Sequence, residues 1–372
     1  VKIVFIIDSL RRNGTQRFLT HLACGLHDLG YTQRVIVLND ASDQEIEESL
    51  SRARCVITFI GKRNLLLAGV GWWRLVGMLR SIKPDVVVTL LDFADTLGRP
   101  AARLAGTRVL VTSLRARNLA KPLWRRWLDR KTVAWADKVI FNSQEVVPYA
   151  REKEGVREEQ VVVIPNGVDD LRARSGVLRK DYRQKLDLAP ATLLIGWVGR
   201  LTPQKNFPVF LHACAGLSTT RPWRILIVGD GPERGRMQTL ADDVELADRL
   251  IWLGSRADVE GWLAAMDVFV HTADFEGMPN AVMEAMAMGL PVVVSDVDGN
   301  RELIRDEFNG YLLPPGDVIG FAKRIDQVID HPDLAKRMGE QAHRDVLEQF
   351  GMSRMIQSYH SLFLSLTETE SA

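Results

Sequence analysis

The stretch Asp267–Asn300, DVFVHTADFEGMPNAVMEAMAMGLPVVVSDVDGN, decides the fold. It opens with the apolar run Val268–Val270 and crosses a polar loop holding Glu276 and Gly277. It then reads as helix from Pro279 through Met288 and ends in a second apolar run, Pro291–Val294. Strand, loop, helix and strand in that order make a βαβ unit, whose strands lie parallel and whose crossover is right-handed. Ligands collect at the carboxyl ends of such strands. Pro279 suits the first helical position, which needs no N–H, so the amides of Gly277, Met278 and Asn280 are expected near the helix start, an anion site. Gly277 lets a ligand approach the backbone, and Glu276 and Glu284 are acceptors for hydroxyl groups. Eight helical residues would separate the two glutamates by about 12 Å, beyond the roughly 5–9.5 Å of a two-carboxylate glycosidase. One long ligand could still touch both.

The same alternation runs through the chain. Strand-length apolar runs recur at Val1–Ile7, Arg34–Leu38, Cys55–Ile60, Asp85–Leu91, Arg108–Thr112, Lys138–Phe141 and Val161–Ile164, with helical segments between most of them. After a polar stretch from Asn166 to Ala189, the pattern resumes at Leu193–Val198, Arg224–Val228, Leu250–Leu253, Asp267–Val270 and Pro291–Val294. Parallel sheets covered on both faces follow, in an α/β chain of two doubly wound, Rossmann-like domains, residues 1–170 and 171–350, with the linker inside the polar stretch.

Composition narrows the function classes. The 372 residues are 46% hydrophobic and 26% charged, ordinary for a globular chain, and the net charge of +1 gives no global drive toward nucleic acid. Cys24, Cys55 and Cys214 lack metal-like or disulfide-like spacing, which fits a reducing cytoplasm. No apolar run reaches the roughly 18 residues of a membrane span.

Glu276 and Glu284, with seven residues between them in FEGMPNAVMEAMAMGLPVVVSD, resemble the E-x7-E signature of glycosyltransferase family 4, retaining enzymes of the GT-B fold. The resemblance implies two Rossmann-like domains facing a cleft, with the final helical stretch, residues 351–372, packing back on the first domain. It also implies that Glu276 meets the donor sugar hydroxyls and Glu284 the nucleotide ribose.

The loop GWVGRLTPQKN, Gly196–Asn206, carries Gly199, Arg200 and Lys205 past the end of a strand. Fixed cations there would stabilise the charge that develops on a departing nucleoside diphosphate. In the family, cations spaced as Arg200 and Lys205 fill this role, often without a metal. The glycine turn in LIVGDGPER resembles the family's G-x-G-P loop, and LIWLGSR resembles the family's segment that presses on the nucleobase, which implies Arg256 and its neighbouring backbone as candidate base contacts. Near the start, Asn13-Gly14-Thr15-Gln16 stands where the family commonly reads Gly-Gly-x-Glu. Gly14 is the glycine retained there, and Gly14 with Thr15 is expected to make a turn and helix cap. Asp296-Val-Asp298 is read as loop chemistry, with no metal expected.

Many relatives carry a histidine after a first-domain strand. The matching region VLVTSLRARN offers Leu114 and Arg115 instead, which leaves Asp92 or Arg115 to orient the acceptor. His271, at a strand's carboxyl end, is a further candidate. The stretch Arg115–Lys138 holds eight Lys or Arg residues against two Asp, and its Trp124, Trp127 and Trp135 share an 80° sector on a helix. Such a helix either lies on an anionic membrane or buries its rings and shows arginines to water.

These readings point to a retaining, metal-independent and cofactor-free hexosyltransferase. It would move sugar from a nucleotide-diphosphate donor, UDP favoured, to a saccharide or lipid-linked acceptor in cell-surface polysaccharide or glycolipid synthesis. The expected place is the cytoplasm, at the inner membrane face if the membrane contact holds. A nucleotide-sugar epimerase and a noncatalytic nucleotide-sugar-binding partner remain alternatives.

Overall fold

A computed structural model describes residues 1–11, 13–61, 69–115 and 122–368. Arg117, Asn118 and Lys121, which entered the reading of the basic stretch and the region after Leu114, lie outside the described residues. The chain forms two compact units, Val1–Gly167 with Met352–Ala372, and Val168–Gly351.

The first unit is built on a seven-stranded parallel sheet of order β3-β2-β1-β4-β5-β6-β7. Its strands are β1 (Lys2–Ile7), β2 (Thr32–Val37), β3 (Val56–Phe59), β4 (Val86–Leu90), β5 (Val109–Leu114), β6 (Lys138–Phe141) and β7 (Val161–Val163). From Ile3 to Ile7 every residue of β1 is fully buried, because helices cover both faces and β-branched side chains pack well on a pleated surface. The final helix, Met352–Glu368, completes this core with Met355, Tyr359 and Phe363. It packs on helix Gly14–Asp28, where a Cβ on Gly25 would come within 2.3 Å of the Ile356 side chain.

The second unit repeats the plan with the order β10-β9-β8-β11-β12-β13. Here the strands are β8 (Leu193–Val198), β9 (Trp223–Val228), β10 (Leu250–Gly254), β11 (Val268–His271), β12 (Val292–Ser295) and β13 (Tyr311–Leu313). Every strand pairing in both sheets is parallel.

Three local expectations change. The sequence reading has no strand at β13. The polar stretch read as a linker holds helix Ser175–Lys185, packed on helix Val259–Ala265, with the Tyr182 and Trp262 rings edge-on at 4.8 Å. Pro279 caps its helix instead of starting it: the helix runs Asn280–Met288, and the Pro279 carbonyl accepts from Val282 and Met283. Among the described residues no helix is long and apolar enough to cross a membrane.

Candidate active site

In a doubly wound sheet the crevice opens where strand order reverses. In the second unit that point lies between β8 and β11, since β9 and β10 continue to one side and β12 and β13 to the other. Lys205 follows β8, while His271 ends β11 and Glu276 follows it, and the structure brings the three together. Lys205 Nζ forms an ion pair with Glu276 Oε1. His271 Nε2 stands 3.4 Å from the same carboxylate oxygen and 3.5 Å from Lys205 Nζ.

Backbone ties hold this geometry. The Gln204 carbonyl accepts from the Asp274 N–H at 2.9 Å, and Gln204 Nε2 donates to the Phe275 carbonyl at 2.8 Å. Thr272 Oγ1 donates to the Asn206 carbonyl at 3.0 Å. Asn206 takes the left-handed conformation (φ 42°), which asparagine tolerates, and its side chain donates to Asp274. On the other side the Gly299 N–H donates to the Glu276 carbonyl at 3.1 Å, and a Cβ on Gly299 would lie 2.3 Å from the Gly277 oxygen. Three loops are therefore fastened around one carboxylate and one ammonium.

Burial alone would raise the Glu276 carboxyl. The Lys205 charge and the His271 hydrogen bond outweigh it and hold the group at about 2. Burial, reinforced by the Lys205 charge, lowers His271 and keeps its imidazole neutral at neutral pH. Its Nδ1 is buried and, among the described residues, without a partner. A proton on Nε2, aimed at Glu276, leaves only a bare lone pair there, which is less costly than an unsatisfied N–H. His271 thus acts as a neutral donor that orients Glu276. Because the bond is long, His271→Leu should lower kcat/KM for the sugar donor by about tenfold while His271→Gln recovers most of it. Equal losses in the two variants, measured by steady-state kinetics, would remove that role.

The other predicted residues are distributed around this centre. Arg200 is exposed, and among the described residues its guanidinium has no hydrogen-bond or ion-pair partner. Gly199 donates to the Val228 carbonyl. Met278 and Pro279 are buried, Gly277 and Asn280 half-buried, and Glu284 sits half-buried at the fifth residue of its helix. Arg256 is held by both oxygens of Asp258 at 3.0 and 3.2 Å, and this pairing is the main reason the Asp258 carboxyl lies near 2. Asp296 and Asp298 both face Arg301, at 2.6 and 3.6 Å.

In the first unit the order reverses between β1 and β4. Asp92 opens helix Asp92–Leu104 directly after β4. Beside it stands Asp8, directly after β1, which the sequence reading did not single out. Its two oxygens accept from the Phe93 and Ala94 N–H groups at 3.2 and 2.6 Å. Burial, helped by the charge of Asp92, raises Asp8 to about 6 despite those bonds. An aspartate exactly at a strand's carboxyl end was the available signal. Arg115 lies over the Phe18 ring at 3.5 Å and donates to Asn166. Gly14 is the first residue of its helix, so the cap position falls to Asn13, whose side chain makes no capping bond; the expected cap at Thr15 is not formed.

Family comparisons cover both units. Residues 179–345 match the model of glycosyl transferases group 1, and residues 12–172 that of glycosyltransferase family 4. The chain is 30% identical over 300 residues to the UDP-Gal:alpha-D-GlcNAc-diphosphoundecaprenol alpha-1,3-galactosyltransferase of Escherichia coli, spanning 78% of this chain and 77% of that protein. It is 31% identical over 290 residues to the GDP-mannose-dependent alpha-mannosyltransferase of Mycobacterium tuberculosis, spanning 73% and 70%. The crystal structure of Anabaena Alr3699/HepE with UDP-glucose superposes with a TM-score of 0.85 at 24% identity, covering 98% of this chain and 99% of that one. That likeness shows the fold, GT-B with two Rossmann-like domains.

Proposed function

We propose, for a chain that belongs to glycosyltransferase family 4, that it transfers a sugar with retention from a nucleoside-diphosphate donor to a saccharide or lipid-linked acceptor. The observation that carries this reading is the Lys205–Glu276–His271 cluster at the switch point of the second sheet. A diphosphate leaving group gains charge as the glycosidic bond breaks, and Lys205, preset against Glu276, together with Arg200 favours that charge over the ground state. They supply the charge neutralisation that would otherwise call for a metal, so the reaction is proposed to need neither metal nor cofactor. Glu276, ionised and oriented, accepts hydrogen bonds from sugar hydroxyls. Glu284 does so from the ribose, and Gly277, Met278, Pro279 and Asn280 line the donor's phosphate side. Gly14 and Gly199 leave room for the donor beside the backbone, and Arg256 is assigned to the base.

UDP is the favoured nucleotide. It fits the donor in the name of the E. coli relative, which matches more of the chain than the GDP-mannose-dependent one. The same relative's name carries a diphosphoundecaprenol-linked acceptor, and lipopolysaccharide core glycosyltransferases of Rhizobium meliloti are also similar. A lipid-linked acceptor in cell-surface polysaccharide synthesis, met at the inner face of the membrane, follows as the reading for this chain. Asp92 and Arg115 are assigned to the acceptor side.

The test is turnover of a UDP-sugar panel with excess chelator, with product resolved by NMR. Acceptor-dependent UDP release and a product of the donor's anomeric configuration are expected. Epimerised donor or free nucleotide regardless of acceptor would favour an epimerase, and binding without turnover a noncatalytic partner.

A further inference from the structure

We propose that one helical layer of the first unit is a docking face for an anionic lipid bilayer. Helix Asp92–Leu104 packs against helix Val70–Ile82 on one side and helix Leu123–Thr132 on the other, so the three share one face of the sheet. Their outer surface is unlike the rest of the protein. Trp73 and Trp124 are each 60% exposed, Trp127 64%, Trp135 46% and Leu123 80%. Trp72, in edge contact with Trp73 on helix Val70–Ile82, and Trp135, on the turn that follows helix Leu123–Thr132, line one groove of about 780 Å³ with Pro100 and Leu104, which joins the two ends of the layer.

The sequence left open whether these rings turn inward. They do not: Arg125 turns inward instead, buried over the Phe93 ring at 4.1 Å. The exposed cations on the same two outer segments are Arg74, Arg80, Lys83, Arg126, Arg130 and Lys131. No acidic residue occurs between Gly69 and Pro84, and the one between Pro122 and Trp135, Asp129, is buried and accepts from Thr96 Oγ1 at 2.6 Å. The acids on the groove's far rim, Asp137 and Glu159, are paired with Arg103 and Arg157.

Several exposed tryptophans with cations and no exposed carboxylate on either outer helix suit one partner in particular. Indole rings settle at headgroup depth with one edge in hydrocarbon and the N–H in water, while the cations meet anionic headgroups. Each such cation raises partitioning about fivefold at low ionic strength. The rings of Trp73, Trp124 and Trp127 are mostly in solvent, so they add little to the fold itself. The inference deepens the lipid-linked acceptor reading by naming the surface that would bring the enzyme to it.

The test uses the full chain with vesicles of phosphatidylcholine alone or mixed with phosphatidylglycerol, at low and physiological ionic strength. Co-sedimentation with the anionic vesicles and quenching of tryptophan emission by brominated lipid are expected, weakening as salt rises. The double variant Trp124→Ser/Trp127→Ser should lower partitioning at least tenfold, and Arg130→Glu/Lys131→Glu should do likewise, with melting curves and UDP-induced stabilisation unchanged. No binding to anionic vesicles, or binding indifferent to both variants, would overturn the proposal. So would concentration-dependent self-association abolished by the tryptophan variant, which would make the face a contact between copies. Vesicle binding needs no donor, so UDP stabilisation without vesicle binding removes only the docking face. Vesicle binding without any nucleotide response removes only the transferase reading.

Discussion

Replacing Lys205 by Ala is expected to lower kcat by about 10²-fold or more, the loss typical of one preorganised group that stabilises charge in the transition state. The ammonium is held against Glu276 before any ligand arrives, by ties between the loops after β8 and β11. It therefore pays no reorganisation cost as the diphosphate departs. The variant also leaves the Glu276 carboxylate buried beside a neutral imidazole, so the group should rise from about 2 toward the range that burial alone would set. With the ammonium present the carboxylate stays ionised down to about pH 2; without it, activity should fall off at a higher pH on the acid side. Lys205→Arg, which keeps the charge, should retain more activity than Ala. Steady-state kinetics across pH would show these effects together, and an unchanged kcat in Lys205→Ala would remove the phosphate role.

Gly229→Ala should destabilise the second unit by about 3 kcal/mol or more, a large value for one methyl group. Gly229 directly follows strand β9 with φ 138°, a region essentially reserved for glycine. A Cβ there would fall 1.7 Å from the Gly199 carbonyl oxygen, which is backbone and cannot swing aside. The loop that must move carries Arg200 and leads to Lys205, so donor binding should fail with stability. For a unit of this size the unfolding midpoint should drop by roughly 6–12 °C. Gly216→Ala is the control: its φ is −88° and a Cβ would meet nothing closer than 3.6 Å, so the change should stay near zero. Similar thermal shifts in the two variants would contradict the account.

Much of this was legible because a buried parallel strand and a ligand-binding loop each leave a dense local signal. The runs KIVFII and LLIGWV could hardly be anything but covered strands, and Glu276, Gly277 and Glu284 sit where a βαβ unit puts its ligand. What escaped depended on partners distant in sequence. Tyr311–Leu313 is only three residues long and becomes a strand because β12 pairs with it. Helix Ser175–Lys185 has no fully buried residue and is anchored by Tyr182, Arg179 and Arg183 reaching across to helix Val259–Ala265 and Asp267, which no local pattern reveals. Asp8 gains its meaning from the Phe93 and Ala94 amides more than eighty residues on. Periodicity placed three tryptophans on one side of the Leu123–Thr132 segment and its continuation, but packing alone decides which side faces water.

The central claim, a nucleoside-diphosphate site at the β8/β11 switch point, is tested most directly by thermal stabilisation with UDP, GDP, ADP, dTDP and CMP, with and without chelator, for the wild type and Glu284→Ala. A shift selective for one diphosphate, UDP by this account, that persists in chelator and is lost in the variant is the predicted result. A folded wild-type protein with no response to any nucleotide would contradict it.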